Sequence, residues 1–187
     1  MSDSNNASEA DAAEIRGLFT EEEWFEISSM PSMVGAAMAG AGKSGVIGTA
    51  KEAMASMKAI MAARSDYPDN RLIDAILQKA DSFSDAKEKA GDYHQRAVDK
   101  MQSQNVKSVE EFNAFMLTHC DRAIALVAQK CSDTEVAEYR QWARAIAEKV
   151  AKAASEGGFL GFGGEQVSEP ERQLLAQIDQ RLGGAIT

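Results

Sequence analysis

The apolar positions along this chain recur every three to four residues, which is the period of one face of an α-helix. Strict alternation of apolar and polar residues, the pattern of a half-buried strand, does not occur over any long run. Only three prolines beside nine methionines and long alanine-rich stretches also favour helix over sheet. We therefore predict an all-α fold, a single helical bundle of five to seven helices with short connections.

Four helix starts are marked by the capping-box pattern, in which Ser or Thr is followed three residues later by Glu. The pattern begins at Thr20, Ser108, Ser132 and Ser168. Phe19 and Trp24 flank the first box at the positions of a hydrophobic staple. A short helix is predicted from Glu21 to about Ser29. Pro31 is predicted to begin a second short helix, because proline is favoured in the first turn.

The third predicted helix runs from about Ser44 to Arg64 and is rich in methionine. Its apolar stripe consists of Val46, Ala50, Met54, Met57 and Met61. We interpret this stripe as part of the core. The alternative is an adaptable binding surface, since flexible and polarizable methionine side chains suit that role.

The next stripe extends over residues 69–104 and fits either one long helix or two. Ser and Asp cluster at positions 81–85, where their side chains compete for backbone hydrogen bonds and favour a break. The sequence leaves both alternatives open.

Chain length and charge indicate how the chain is divided into a domain and a tail. With 187 residues and 20.1 kDa, the chain suits one domain, predicted over 14–187. Residues 1–13 are small, polar and acidic, and we predict an acidic flexible N-terminal tail. Residues 1–30 hold eight acidic residues and one basic residue, so they carry −7 of the formal net charge of −9.

Charge and hydropathy also exclude classes of partner. No segment is strongly basic, which argues against a nucleic-acid-binding protein. No stretch has the 20 or so strongly apolar residues of a membrane span, and the N-terminus lacks the features of a signal peptide. We expect a cytoplasmic protein. Cys120 and Cys131 lie about 16 Å apart on one predicted helix and are expected to be reduced.

Sequence motifs for catalysis are weak. Gly42-Lys43-Ser44 lacks the earlier glycine and the preceding strand of a phosphate-binding loop. His94 and His119 have neither a second histidine nor a glutamate at metal-ligand spacing. Cys120 and His119 are adjacent, so they point in different directions on a helix. We expect no catalytic residue, no metal and no cofactor; His119 is predicted to border the core and to bond a neighbouring helix.

The least generic segment is the Gly-rich loop over 157–164. It interleaves glycine with large apolar side chains. One interpretation is that these side chains close one end of the bundle. The other is a ligand or partner site formed by backbone N–H groups and an open apolar pocket. The candidate binding residues are Phe159, Leu160, Gly161 and Phe162.

The motif GGFLGFGGEQVSEPE resembles the C-terminal signature of a family of small bacterial helical proteins with no assigned activity. Two other patches, around Phe19–Trp24 and Ser44–Gly48, are similar to the same family. The resemblance implies a helical fold and a bacterial origin. It transfers no catalytic residue.

Taken together, the residues favour a non-enzymatic helical module for protein–protein interaction or self-association, with a protein partner or a homo-oligomer as its context. The alternative is a bundle that binds a small-molecule ligand near 157–164. Neither hypothesis involves nucleic acid or a membrane.

Overall fold

The computed structural model describes residues 2–42, 45–77, 83–155 and 167–183, and these contain eight α-helices and no strand. The all-α prediction is confirmed at this level, with one helix more than the upper limit of the predicted count among the described residues. The helices are α1 (Ser2–Gly17), α2 (Glu21–Ala41), α3 (Gly45–Asp66), α4 (Arg71–Ile76), α5 (Phe83–Ser103), α6 (Val109–Lys130), α7 (Asp133–Ser155) and α8 (Glu169–Arg181).

The predicted capping boxes begin four of these helices. In the first, the Glu23 carboxylate accepts from Thr20 N at 2.8 Å, and Glu23 N donates to Thr20 Oγ1 at 3.3 Å. The boxes at Ser108 and Ser132 show the same reciprocal pair. At the fourth, Ser168 N donates to Glu171 at 2.7 Å. The Phe19 and Trp24 rings form the predicted staple, with centroids 6.1 Å apart.

Helix α2 is continuous through Pro31, although the sequence predicted two short helices. A proline inside a helix has no N–H to donate to the carbonyl four residues earlier, here that of Ile27. Tyr139 on α7 supplies the missing donor, since its hydroxyl donates to Ile27 O at 2.6 Å. The buried carbonyl is therefore satisfied and the helix can continue.

The core is organised around α2, which packs against α3, α6, α7 and α8. Between Phe25 and Met38, α2 is buried on nearly all sides, as expected of a helix surrounded by others. Helix α7 contributes the largest buried side chains, Tyr139 and Trp142. No described helix combines the length and the apolar character needed to cross a lipid bilayer.

The N-terminal segment, for which a flexible tail is predicted, contains the first helix. Residues Ser2–Gly17 form α1, which packs against α4. Ala12 and Ile15 are buried in the core beside Phe19. Burial of these two side chains gives the end of α1 the packing that an isolated acidic helix lacks.

The segment predicted as one helix or two contains two, α4 and α5. Asn70 caps α4 by accepting from Ile73 N, and α4 ends at Ile76. Helix α5 contacts α2 through long side chains. The Tyr93 ring stacks on Phe25 with centroids 5.7 Å apart, and its hydroxyl lies 2.9 Å from Ser28 Oγ.

Candidate functional site

The binding residues predicted from the sequence, Phe159, Leu160, Gly161 and Phe162, lie outside the described residues. So do Lys43 and Ser44 of the phosphate-loop-like segment and the side chain of His94. The structure therefore directs attention to two other places, the outer face of α3 and a buried ionic cluster on α2.

The outer face of α3 carries a row of exposed methionines. Met54, Met57 and Met61 are 55%, 63% and 57% exposed, and we refer to these three as the methionine row. The prediction that they belong to the core is wrong. The three methionines keep the predicted helical spacing, but they face outward.

The inner face of α3 carries polar and small residues instead. Glu52 is fully buried, Ser56 is 9% exposed, and Ala59 and Ala63 are buried. Both carboxylate oxygens of Glu52 lack a hydrogen-bond partner among the described residues. Helix α3 is thus amphipathic in the reverse sense, with its longest apolar side chains outside and a carboxylate inside.

Close helix packing explains this orientation. A β-carbon at residue 35 of α2 would lie 2.0 Å from Ser56 Oγ and 3.4 Å from Ile146 Cγ2. Only glycine leaves room for Ser56 at this crossing. At this crossing the inner face of α3 carries the small Ser56, which occupies the space that a β-carbon at residue 35 would fill. The close approach at Gly35 therefore contributes to the orientation of α3.

Two lysines flank the methionine row. Lys51 and Lys58 are exposed, lie seven residues apart, and neither is paired with a carboxylate in the described part of the chain. Arg64, near the end of α3, is paired with Asp74 at 2.9 Å. The outer face of α3 therefore combines apolar area with two unpaired positive charges.

The second place is a buried ionic cluster centred on Glu26 of α2. Lys100 from α5 donates to one carboxylate oxygen. The Nδ1 atom of His119, on α6, lies 2.6 Å from the other carboxylate oxygen. This distance is that of an ion pair, but the geometry is not that of an aligned hydrogen bond. The side chain of Glu26 is 8% exposed and that of His119 is 2% exposed. The predicted bond from His119 to a neighbouring helix is confirmed by Ser29 of α2, whose Oγ lies 3.1 Å from His119 Nε2.

Burial and charge act in opposite directions on Glu26. Burial alone would raise the pKa of its carboxyl group, but the contacts and positive charges of His119 and Lys100 outweigh this effect and lower the pKa to about 2. Glu26 is therefore ionised in the folded protein over the physiological range. It joins α2 to α5 and α6 by charge.

Ser29, one turn beyond Glu26, lies on the other side of the His119 ring. Its Oγ is 3.1 Å from His119 Nε2 and donates its own proton to Phe25 O at 2.5 Å. With its own proton donated, Ser29 Oγ is placed to accept from His119 Nε2–H. The order Ser29, His119, Glu26 is that of a catalytic triad, but the serine is buried and its proton is already donated.

A cavity of about 290 Å³ lies between α2 and α5, beside this cluster. It is lined by Glu22, Phe25, Arg96, Asp99, Lys100 and Ser103. Glu22 pairs with Arg96 at 3.2 Å and with Lys100 at 2.6 Å, so both cations in the wall already have partners. The arrangement is suited to holding α5 on α2 rather than to binding a charged ligand.

Nucleophilic and metal chemistry find little support in the described ranges. Burial raises the pKa of Cys120 to about 12 and that of Cys131 to about 11, so neither is a thiolate near neutral pH. Among the residues that the structure describes, no three His, Cys, Asp or Glu side chains are grouped to hold a metal ion.

Sequence reasoning missed both places for identifiable reasons. Glu26 stands between Phe25 and Ile27 in an apolar stretch, which was a signal for a buried charge. The second helical stripe of α3, over Glu52, Ser56, Ala59 and Ala63, was the signal for the reversed face.

Comparison with known proteins gives no match: no family model fits the chain, and no curated protein or solved structure is significantly similar to it.

Proposed function

We propose that this protein is a non-enzymatic helical protein-interaction module and that the methionine row is its binding surface. The observation that carries the proposal is the reversed amphipathicity of α3. Three large apolar side chains are more than half exposed in one row, while Glu52 and Ser56 occupy the buried face. Isolated exposed apolar residues are ordinary, whereas an exposed apolar row is typical of an interaction site.

The chemistry of the row fits such a role. Methionine is unbranched and polarizable, so the surface can adapt to the shape of an apolar partner. Full burial of one methionine contributes about 1.5–3 kcal/mol, and roughly half of each side chain remains to be covered. A partner that covers all three gains about 3 kcal/mol, or about 100-fold in the association constant.

The described residues favour this function over catalysis. The serine and histidine of the buried cluster are enclosed, and both cysteines have a raised pKa. They also favour it over binding of a charged small ligand, because the cations in the wall of the described cavity are paired with carboxylates.

Replacement of the three methionines by serine is expected to weaken binding about 100-fold. The probe is a fluorescent amphipathic helical peptide with leucine at heptad a and d positions and glutamine beside them, titrated against the full chain by fluorescence anisotropy. Because the methionines are exposed, Met54→Ser, Met57→Ser and Met61→Ser should together leave the fold intact, which circular dichroism checks.

Val109→Ser provides a matched control, because Val109 is also an exposed apolar residue, at 47%, but lies on α6. It should bind the peptide as the wild type does. The proposal is overturned if the wild type does not bind the glutamine-flanked peptide, or if the triple serine variant binds it equally well.

A further inference from the structure

The charges beside the methionine row indicate what kind of partner covers it. We infer that the partner is an amphipathic helix of a different protein, with an apolar stripe at heptad spacing and Glu or Asp beside that stripe. This inference rests on the proposed function and adds the chemistry of the partner.

The spacing of the row is that of a coiled-coil seam. Met54, Met57 and Met61 are three and four residues apart, which corresponds to heptad positions a, d and a. The residues at the opposite positions c and f are those turned into the bundle: Glu52, Ser56, Ala59 and Ala63. The seam therefore lies along the outermost line of α3, where a second helix can pack lengthwise.

The lysines occupy the positions that determine pairing. In the same register, Lys51 and Lys58 are both at position e, directly beside the seam. The g positions, Ala53 and Ile60, carry no charge. Charged residues at e and g select the partner and the orientation of paired helices. Two positive charges at e, neither paired with a carboxylate in the described residues, select acidic residues on the facing helix.

A second copy of this chain fits the same face poorly. In an antiparallel pair of α3 helices, the e positions face one another and each lysine meets a lysine. In a parallel pair, e faces g, so the lysines meet uncharged Ala53 or Ile60. Neither orientation supplies an acidic group. The surface therefore matches a different chain.

The net charge of the protein does not remove this preference. Of the formal net charge of −9, residues 1–30 contribute −7, whereas residues 31–66 hold four basic and two acidic residues. At physiological ionic strength charges more than about 8 Å apart are largely screened, so groups next to the seam dominate once the helices meet.

The test uses the full chain and three peptides with the same leucine seam, flanked by Glu, by Gln or by Lys. At low salt the Glu-flanked peptide is expected to bind about 10-fold more tightly than the Lys-flanked one, and the difference should shrink as salt is added. Lys51→Glu with Lys58→Glu should reverse the order. The control variant, Lys107→Glu with Arg122→Glu, changes the net charge by the same amount at exposed positions before and on α6. It should keep the wild-type order of peptide affinities.

The outcomes separate this inference from the proposed function. If all three peptides bind equally and only the methionine substitutions weaken them, the acidic partner is rejected while the binding surface stands. If sedimentation shows a dimer of the wild type that the triple serine variant loses, the occupant is a second copy and the inference is overturned. If no peptide binds, the proposed function itself fails.

Discussion

Replacing Glu26 by glutamine is expected to lower the free energy of unfolding by about 3–5 kcal/mol. Glutamine keeps the shape of the side chain but removes the negative charge between Lys100 and His119. Removing one partner of a buried ion pair is costly because the remaining group loses its desolvated partner, and Lys100 keeps only the exposed Glu22. The measurement is chemical denaturation of wild type and variant, followed by circular dichroism.

The control for this substitution is Glu22→Gln. Glu22 also pairs with Lys100, at 2.6 Å, but its side chain is 66% exposed. Exposed ion pairs contribute at most about 1 kcal/mol, so this variant should be only slightly destabilised. Lys100→Met in the Glu26→Gln background should regain part of the loss, because it removes the cation whose buried partner is lost. Equal stabilities for Glu26→Gln and Glu22→Gln would contradict the central place of Glu26.

Acid is expected to destabilise the wild type through the same carboxylate. The pKa of Glu26 is lowered from 4.5 to about 2 in the folded protein, which corresponds to a contribution of about 3 kcal/mol. A lowered pKa contributes stability that is fully present above the unfolded value. It is lost as pH falls through the window from about 5 to about 2.

The pH dependence is measured as the difference between wild type and Glu26→Gln, because other carboxyl groups titrate in the same range. Burial alone would raise the pKa of Glu135, but the hydrogen bonds from Ser132 and the charge of Arg71 lower it, so it too favours the fold above acid pH. The two stability curves should converge as the pH falls. Parallel curves across the window would show that Glu26 is not the titrating group.

Local signals explain why much of the fold could be predicted. A capping box contains its own hydrogen-bonding partners within four residues, so the starts of α2, α6, α7 and α8 are visible in the sequence. Helices α6 and α7 bury large apolar side chains on their inner faces, such as Met116 and Ile146.

The structure departs from the predictions where a residue distant in the sequence determines the conformation or orientation of a helix. Helix α2 passes through Pro31 because Tyr139, more than a hundred residues later, donates to the carbonyl that the proline leaves free. The outward face of α3 depends on the crossing at Gly35, which admits Ser56 and excludes larger side chains. The partner of Pro31 has no local signal in the sequence, and the second stripe of α3 does not by itself show which of its two faces is buried.

The candidate site, too, could be predicted from the sequence only in part. The role of His119 could be predicted from its place beside a core stripe, but its partners Glu26 and Lys100 lie on helices whose relative positions the sequence does not give. The methionine row was recognised as a stripe with two alternatives, core or binding surface. The three side chains are exposed, which rules out the core alternative, because periodicity alone does not set the orientation of the helix.

The central claim is that the methionine row is an exposed surface that a partner helix covers. Its most direct test is oxidation of the full chain by hydrogen peroxide, with each methionine followed by mass spectrometry, alone and saturated with the glutamine-flanked helix. The account predicts that Met54, Met57 and Met61 oxidise well before the fully buried Met30, Met38 and Met116, and that the helix protects them. Oxidation of the three at the same rate with and without the helix would contradict it.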